Sequence, residues 1–311
     1  MASLESGAFF VSWFLMMKIE NQLFEHLVES YFTEFGTHLK INNHSVLGGG
    51  CISRAFRLET NQGNYFLKWN SNGSNDLFLR EADSLNELHT AQVSSIQFPK
   101  PILAKPIDEL PGYLLTNYLQ PGKGELDEEK LGRGLAELHQ KTAEYYGFKT
   151  DNYCGLTKQD NHFQKNWISF YVENRIGHIL NLIRQSRNWS PADEKISEQF
   201  LTRVPQLIGH ITKPSLIHGD LWSGNYMYTN TVPALIDPCA SYCDREFELG
   251  MMTLFGGFSQ KVFDAYNEYF PLPGEWKDRN LIYQLYHVLN HYLLFGGFYK
   301  NQALDIMKKY L

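Results

Sequence analysis

Gln120-Pro121-Gly122-Lys123-Gly124 marks where the hydrophobic pattern of this 311-residue chain changes period, and that change constrains the fold more than any other feature. Ahead of it lie short alternating runs. Residues 54–60 and 65–69 read as strands joined at Asn61-Gln62-Gly63-Asn64, and two more strands flank the turn at 108–112, the second ending near Leu119. A helix capped by Asn75 or Asp76 sits between the pairs, with Phe78, Ala82, Leu85 and Leu88 on one face. An earlier helix repeats Leu23, Leu27, Tyr31 and Phe35 every four residues. Beyond the break the period is helical. Leu131, Leu135 and Leu138 follow an Asp127 cap, and further helices are predicted over 163–184, 192–208, 247–255 and 278–294. Strands segregated from helices make an α+β chain, with a small antiparallel-sheet lobe over 18–119 and a larger, mainly helical lobe over 120–311. Residues 1–17 read as an extension, a cloning scar or an upstream start, because Met16 and Met17 offer later starts.

Composition excludes several classes. Lys plus Arg total 28 against 34 for Asp plus Glu, a net charge of −6, so no basic footprint points to nucleic acid or anionic lipid. The apolar run at residues 8–17 is too short to span a bilayer, and its leader carries Glu5 without a Lys or Arg, unlike a secretory signal. Cys51, Cys154, Cys239 and Cys243 are too few and too irregular for a disulfide framework, which predicts reduced thiols in a cytoplasm. Cys239 and Cys243, with no histidine nearby in sequence, read as buried small hydrophobes rather than zinc ligands.

The chemistry concentrates in His218-Gly219-Asp220-Leu221-Trp222-Ser223-Gly224-Asn225, followed by Leu235-Ile236-Asp237-Pro238. Each piece alone is an ordinary turn. Together they resemble the phosphoryl-transfer pattern of the protein-kinase-like fold, in which the first Asp takes a hydroxyl proton while the Asn and second Asp hold Mg²⁺. That resemblance gives the base to Asp220 and the metal to Asn225 and Asp237. Upstream, Gly48, Gly49 and Gly50 lack side chains that would keep backbone N–H groups from phosphates. Lys68, within a strand, and Glu81, in the following helix, occur in the order of the kinase pair that fixes the α and β phosphates of ATP. Thr116, Asn117, Tyr118 and Leu119 precede the lobe boundary, where adenine meets the backbone in that fold.

His-Arg-Asp and Asp-Phe-Gly, the protein-kinase signatures, are absent. From about Asn43 to Tyr299 the chain instead resembles the fructosamine kinase family, relatives of aminoglycoside and choline kinases. The resemblance rests on Gly48 to Ser53, Leu135-Ala136-Glu137-Leu138-His139, the Trp222-Ser223-Gly224 filling, Ile236-Asp237-Pro238, residues 251–258, and Tyr283 to His287 leading to Leu289-Asn290-His291. It implies a two-lobed kinase-like fold and ATP- and Mg²⁺-dependent phosphorylation of the 3-hydroxyl of a ketosamine, either a small molecule or a glycated protein lysine, leading to deglycation. It also places His291 at the acceptor, although on residues alone a helical His beside Leu289 and Leu293 reads as packing; Trp222, two residues after the base, reads as core or as an aromatic that stacks on an acceptor sugar. Cys239 stands where the family commonly has Ala, and Glu246-Phe247-Glu248-Leu249 departs from its usual Glu-Ala-Asp-Leu; neither departure is expected to touch a catalytic residue. Cys51 follows the glycine run, where it reads as a redox-sensitive thiol or as filler. The resemblance adds that a cysteine there can form intermolecular disulfides, hence a monomer or a redox-linked dimer. Rival readings are a kinase of the aminoglycoside or choline type and a nucleotide-binding regulator without turnover.

Overall fold

The computed structural model describes residues 2–48, 53–70, 74–106, 112–123, 127–209 and 213–311, with side chains described from residue 18 onward. Gly49, Gly50 and Cys51 lie outside the described residues. The chain divides into two compact units, residues 1–82 with 100–119, and residues 83–99 with 120–311.

In the first unit, α1 (Ala2–Phe35) is followed by β1 (Ile41–Leu47), β2 (Arg54–Thr60) and β3 (Gly63–Asn70), then α2 (Leu77–His89), which runs on into the second unit, β4 (Pro101–Lys105) and β5 (Gly112–Asn117). The strands form one antiparallel sheet in the order β1-β2-β3-β5-β4. Strand periodicity puts alternate residues on opposite faces. Phe56, Leu58, Tyr65, Leu67 and Trp69 face one way and share a core with Leu23, Leu27 and Tyr31 of α1. Lys68 belongs to the other face. Phe35 departs from the expected stripe: it is 46% exposed, because the helix ends there and Gly36 turns the chain away, leaving its ring against Tyr31 alone.

The second unit takes residues 83–99, which the sequence pattern had assigned to the smaller lobe. Tertiary bonds explain the transfer: Glu137 accepts from Ser94 N and Ser95 Oγ, and Gln97 exchanges backbone bonds with Pro233 and Leu235. The unit then runs α3 (Glu128–His139), the hairpin β6 (Asn152–Cys154) and β7 (Thr157–Gln159), and α4 (Trp167–Ser169). A π-helical stretch (Phe170–Gly177) leads into α5 (His178–Ser186) and α6 (Pro191–Ile208). Asp127 caps α3 through Lys130 N, as expected, and Ser190 with Asp193 forms a capping box on α6. The helix predicted over 163–184 begins only at Trp167, where Asn166 caps it. Short strands β8 (Ser215–Ile217), β9 (Tyr226–Met227), β10 (Ala234–Leu235) and β11 (Ser241–Cys243) precede α7 (Arg245–Leu254), α8 (Gln260–Tyr269), α9 (Trp276–Phe295) and α10 (Tyr299–Lys309). An aromatic core of Trp167, Phe170, Tyr171, Phe247, Tyr283 and Tyr286 ties α4, the π-helical stretch, α7 and α9 together. Among the described residues no helix is long and apolar enough to cross a membrane.

Candidate active site

The Asp220 loop connects β8 to β9 and is fixed from beneath. Glu248, fully buried on α7, accepts hydrogen bonds from the backbone N–H of His218 at 2.5 Å and of Gly219 at 3.0 Å. His218, also buried, bonds through Nε2 to Ile236 O, and its carbonyl accepts from Cys239 N. Asn225 O accepts from Ile236 N. These bonds hold residues 218–225 beside residues 236–239. Gly219 has φ +89°, and a Cβ there would lie 2.2 Å from Cys239 O, so the approach of the two segments requires glycine. Asp237 is itself left-handed, with φ +57°, a conformation that non-glycine residues occupy mainly where surrounding structure imposes it.

Asn225 Nδ2 donates to Asp220 O at 2.8 Å and to Asp220 Oδ2 at 3.2 Å, which turns its amide oxygen away from that pairing as a ligand atom. Burial, then the charges of Asp237 and Glu248, push the Asp220 carboxyl up to about 8. Three carboxylates are thus gathered within electrostatic reach of one another, and the donor set of Asp237 and Asn225 is all oxygen. That chemistry fits a hard divalent cation such as Mg²⁺. Burial raises the Glu248 carboxyl, but the His139 side chain first, then the charge of His218 and the His218 backbone amide, hold it below its usual range; His139, pushed down by burial, donates or accepts at Tyr266 Oη, 2.8 Å away.

In the first unit Lys68 Nζ lies 3.1 and 3.0 Å from the two Glu81 oxygens, with both side chains 13% exposed. Of the four residues expected to meet adenine, Asn117 N donates to Lys100 O and Tyr118 N donates to Asn64 O. Those two amides are already used by the sheet, and Thr116 lies within β5. Gly48 follows β1, and a Cβ there would meet nothing within 4 Å.

Trp222 is half-buried, its ring lying across Gly224, where a Cβ would come within 2.2 Å of Cη2. The glycine of the Trp-Ser-Gly filling therefore exists to seat the indole. His291 Nδ1 donates to His287 O, and the ring sits among Phe255, Phe295 and Tyr299, with ring centroids 4.7, 5.6 and 5.1 Å away. The segment after α7 links the two places: Phe255 packs on His291, a Cβ on Gly257 would strike Ser223, and Phe258 stacks on Tyr226. Sequence reasoning missed Glu248, which it set aside as a departure that touches no catalytic residue. Among the described residues Glu248 hydrogen-bonds to no residue assigned to catalysis, but it holds the two residues directly before Asp220. The only signal was an acidic residue at an otherwise apolar helical position.

The sequence model of the fructosamine kinase family matches residues 23–311. The chain belongs to the fructosamine kinase family. A probable ketoamine kinase of Enterococcus faecium is 36% identical over 88% of this chain and 97% of its own length. The chloroplastic protein-ribulosamine 3-kinase of Arabidopsis thaliana is 33% identical over 92% and 88% respectively. Among solved structures, a Thermobifida fusca protein assigned as a fructosamine-3-kinase superposes with a TM-score of 0.77 at 29% identity, covering 90% of this chain and 96% of that one. An aminoglycoside phosphotransferase matches at TM-score 0.61 and 15% identity, over 93% of this chain and 97% of its own, which establishes the shared α+β kinase-like fold. The protein is accordingly an ATP-using phosphotransferase.

Proposed function

We propose that this kinase transfers the γ-phosphoryl group of ATP to the 3-hydroxyl of a ketosamine. The observation that carries the reading is the Asp220–Asn225 pair, in which the amide of Asn225 holds the Asp220 carboxylate in place and presents its own oxygen, alongside Asp237, to a cation. Asp220 accepts the proton of the acceptor hydroxyl as its oxygen attacks phosphorus. Asp237 and Asn225 would hold Mg²⁺, which neutralises phosphate charge when bound. Lys68, oriented by Glu81, binds the α and β phosphates, Leu119 and its neighbours bind adenine, and the Gly48–Gly50 run covers the phosphates. Trp222 stacks on the acceptor, and His291 with its aromatic neighbours forms a further wall. Once the C2 ketone enolises toward C1, the 3-phosphate is allylic to the C1–C2 double bond and leaves as inorganic phosphate; water then hydrolyses the C1 imine so formed, releasing the amine and a 3-deoxy dicarbonyl sugar, which is deglycation. The curated relatives named as ketoamine and ribulosamine kinases support this acceptor class.

The test is ATP consumption with ribulose, erythrulose and fructose adducts of lysine beside choline and an aminoglycoside. Turnover confined to the adducts is expected. Turnover of choline or the aminoglycoside with none of the adducts would overturn the reading in favour of the rival kinase class, and Mg-ATP binding without transfer to any acceptor would favour the regulator.

A further inference from the structure

The side of Asp220 facing away from solvent holds a second, chemically different set of ligands. Cys154 Sγ, an Asp220 carboxylate oxygen and a His287 ring nitrogen all lie within 4.8 Å of one another. Cys154 ends β6 and His287 lies mid-way along α9, so only the tertiary fold brings them to the loop. Both are at least 98% buried. Both ring nitrogens of His287 are buried with no hydrogen-bond partner among the described residues, although its ring is fixed by stacking on Phe247 at 5.2 Å and 22°. Leaving two polar atoms unsatisfied in a core is costly, so they mark a position suited to a ligand. The fourth member is Cys239, buried and with its thiol hydrogen-bonded to that of Cys154.

We propose that Cys154, Cys239, His287 and Asp220 form a site for a borderline-soft divalent cation, Zn²⁺ in chemical class, on the buried side of the catalytic carboxylate. Two sulfurs, one imidazole nitrogen and one carboxylate oxygen make a tetrahedral zinc set, whereas the Asn225–Asp237 oxygens suit magnesium. Zinc bonds of about 2.3 Å to sulfur and about 2.0 Å to nitrogen imply a ligand spacing of roughly 3.5 Å, and the Cys154, Asp220 and His287 ligand atoms already lie within 4.8 Å of one another. Asp220, partly exposed, gives the route of entry. Binding draws its carboxylate onto the metal and away from the acceptor hydroxyl, so occupancy inhibits; this consequence alone rests on the role of Asp220 proposed above.

The experiment uses full-length protein in a Cys51→Ser background, stripped with chelator and titrated with Co²⁺ and Zn²⁺ in excess Mg²⁺. One equivalent of Co²⁺ with a near-ultraviolet thiolate charge-transfer band is expected. Cys154→Ala should lower the band to that of a single thiolate, and His287→Phe, which keeps the stacked ring, should weaken Zn²⁺ binding at least tenfold, as should Cys154→Ala and Cys239→Ala. No thiolate band, or a band undiminished in Cys154→Ala, overturns the site; a Cys239→Ala affinity equal to the parent overturns the four-ligand set. Kinase assays then separate the two readings. Zn²⁺ should inhibit the parent and spare Cys154→Ala, and a bound, thiolate-ligated metal without inhibition would remove Asp220 from the transfer step while leaving the metal site standing.

Discussion

The Lys68–Glu81 pair and the Asp220 loop solve opposite electrostatic problems. Lys68 and Glu81 neutralise one another at a partly exposed sheet face, so their charges are stable as they stand. Around Asp220, Asp237 and Glu248, like charges are gathered and held by backbone amides, the φ of Asp237 and a glycine no larger residue can replace. The first region is a close pair of opposite charges, and the second gathers like charges. Charge in the first serves orientation; charge in the second is stored for a ligand.

Asp220→Asn breaks this contrast most directly. Turnover should fall about 10²- to 10⁴-fold with ATP binding kept, as for loss of a general base. The same change should raise stability. A carboxyl held up at about 8 in the fold, against about 4 when unfolded, contributes stability that is complete below pH 4 and lost as pH rises through 8. In magnesium-free buffer the Asn variant should therefore melt above the parent at pH 8.5, with the gap closing by pH 4. A variant less stable than the parent at pH 8.5 would mean the loop is not charge-strained.

Glu248→Gln should cost about 1.5–3 kcal/mol, the value of a charge-assisted bond, and lower kcat with it, because one amide of the loop loses its partner. Denaturant midpoints and kinetics would show both; a stability loss with kcat intact would confine Glu248 to packing. Lys68→Ala should instead raise the KM for ATP roughly tenfold while moving stability by less than about 1 kcal/mol, since a partly exposed pair adds little to folding. Equal stability losses at Lys68 and Glu248 would erase the difference between the regions.

Trp222→Ala should lower kcat/KM for the ketosamine several-fold and leave ATP affinity alone, because the indole rests on Gly224 within the acceptor loop. A parallel fall in ATP affinity and melting temperature would make it a packing residue. The smallest effect concerns acid. Burial pushes His139, His218 and His287 down, His287 to about 3, so the unfolded chain binds more protons below about pH 6.5 and stability declines from there toward pH 3. Urea midpoints at pH 7.5 and 5 should diverge less in His287→Phe than in the parent; equal divergence would clear His287 of acid sensitivity.

What the sequence by itself determined is local. Hydrophobic period distinguished the sheet from the helices, the Asp127 cap located a helix start, and the spacing from His218 to Asp237 exposed the catalytic loop, because these depend on residues a few positions apart. The Lys68–Glu81 pair was legible for the same reason: one strand and the next helix contain it. Tertiary structure alone decided the rest. It moved residues 83–99 into the larger unit through Glu137 and Gln97, consumed the amides of Asn117 and Tyr118 in the sheet, and turned Glu248 from a departure in a helix into the floor of the loop. It also brought Cys154 and His287, far apart in the linear sequence, to Asp220. Contacts between distant segments leave no period or spacing in a single chain, since each residue is compatible with packing until the fold gives it a neighbour.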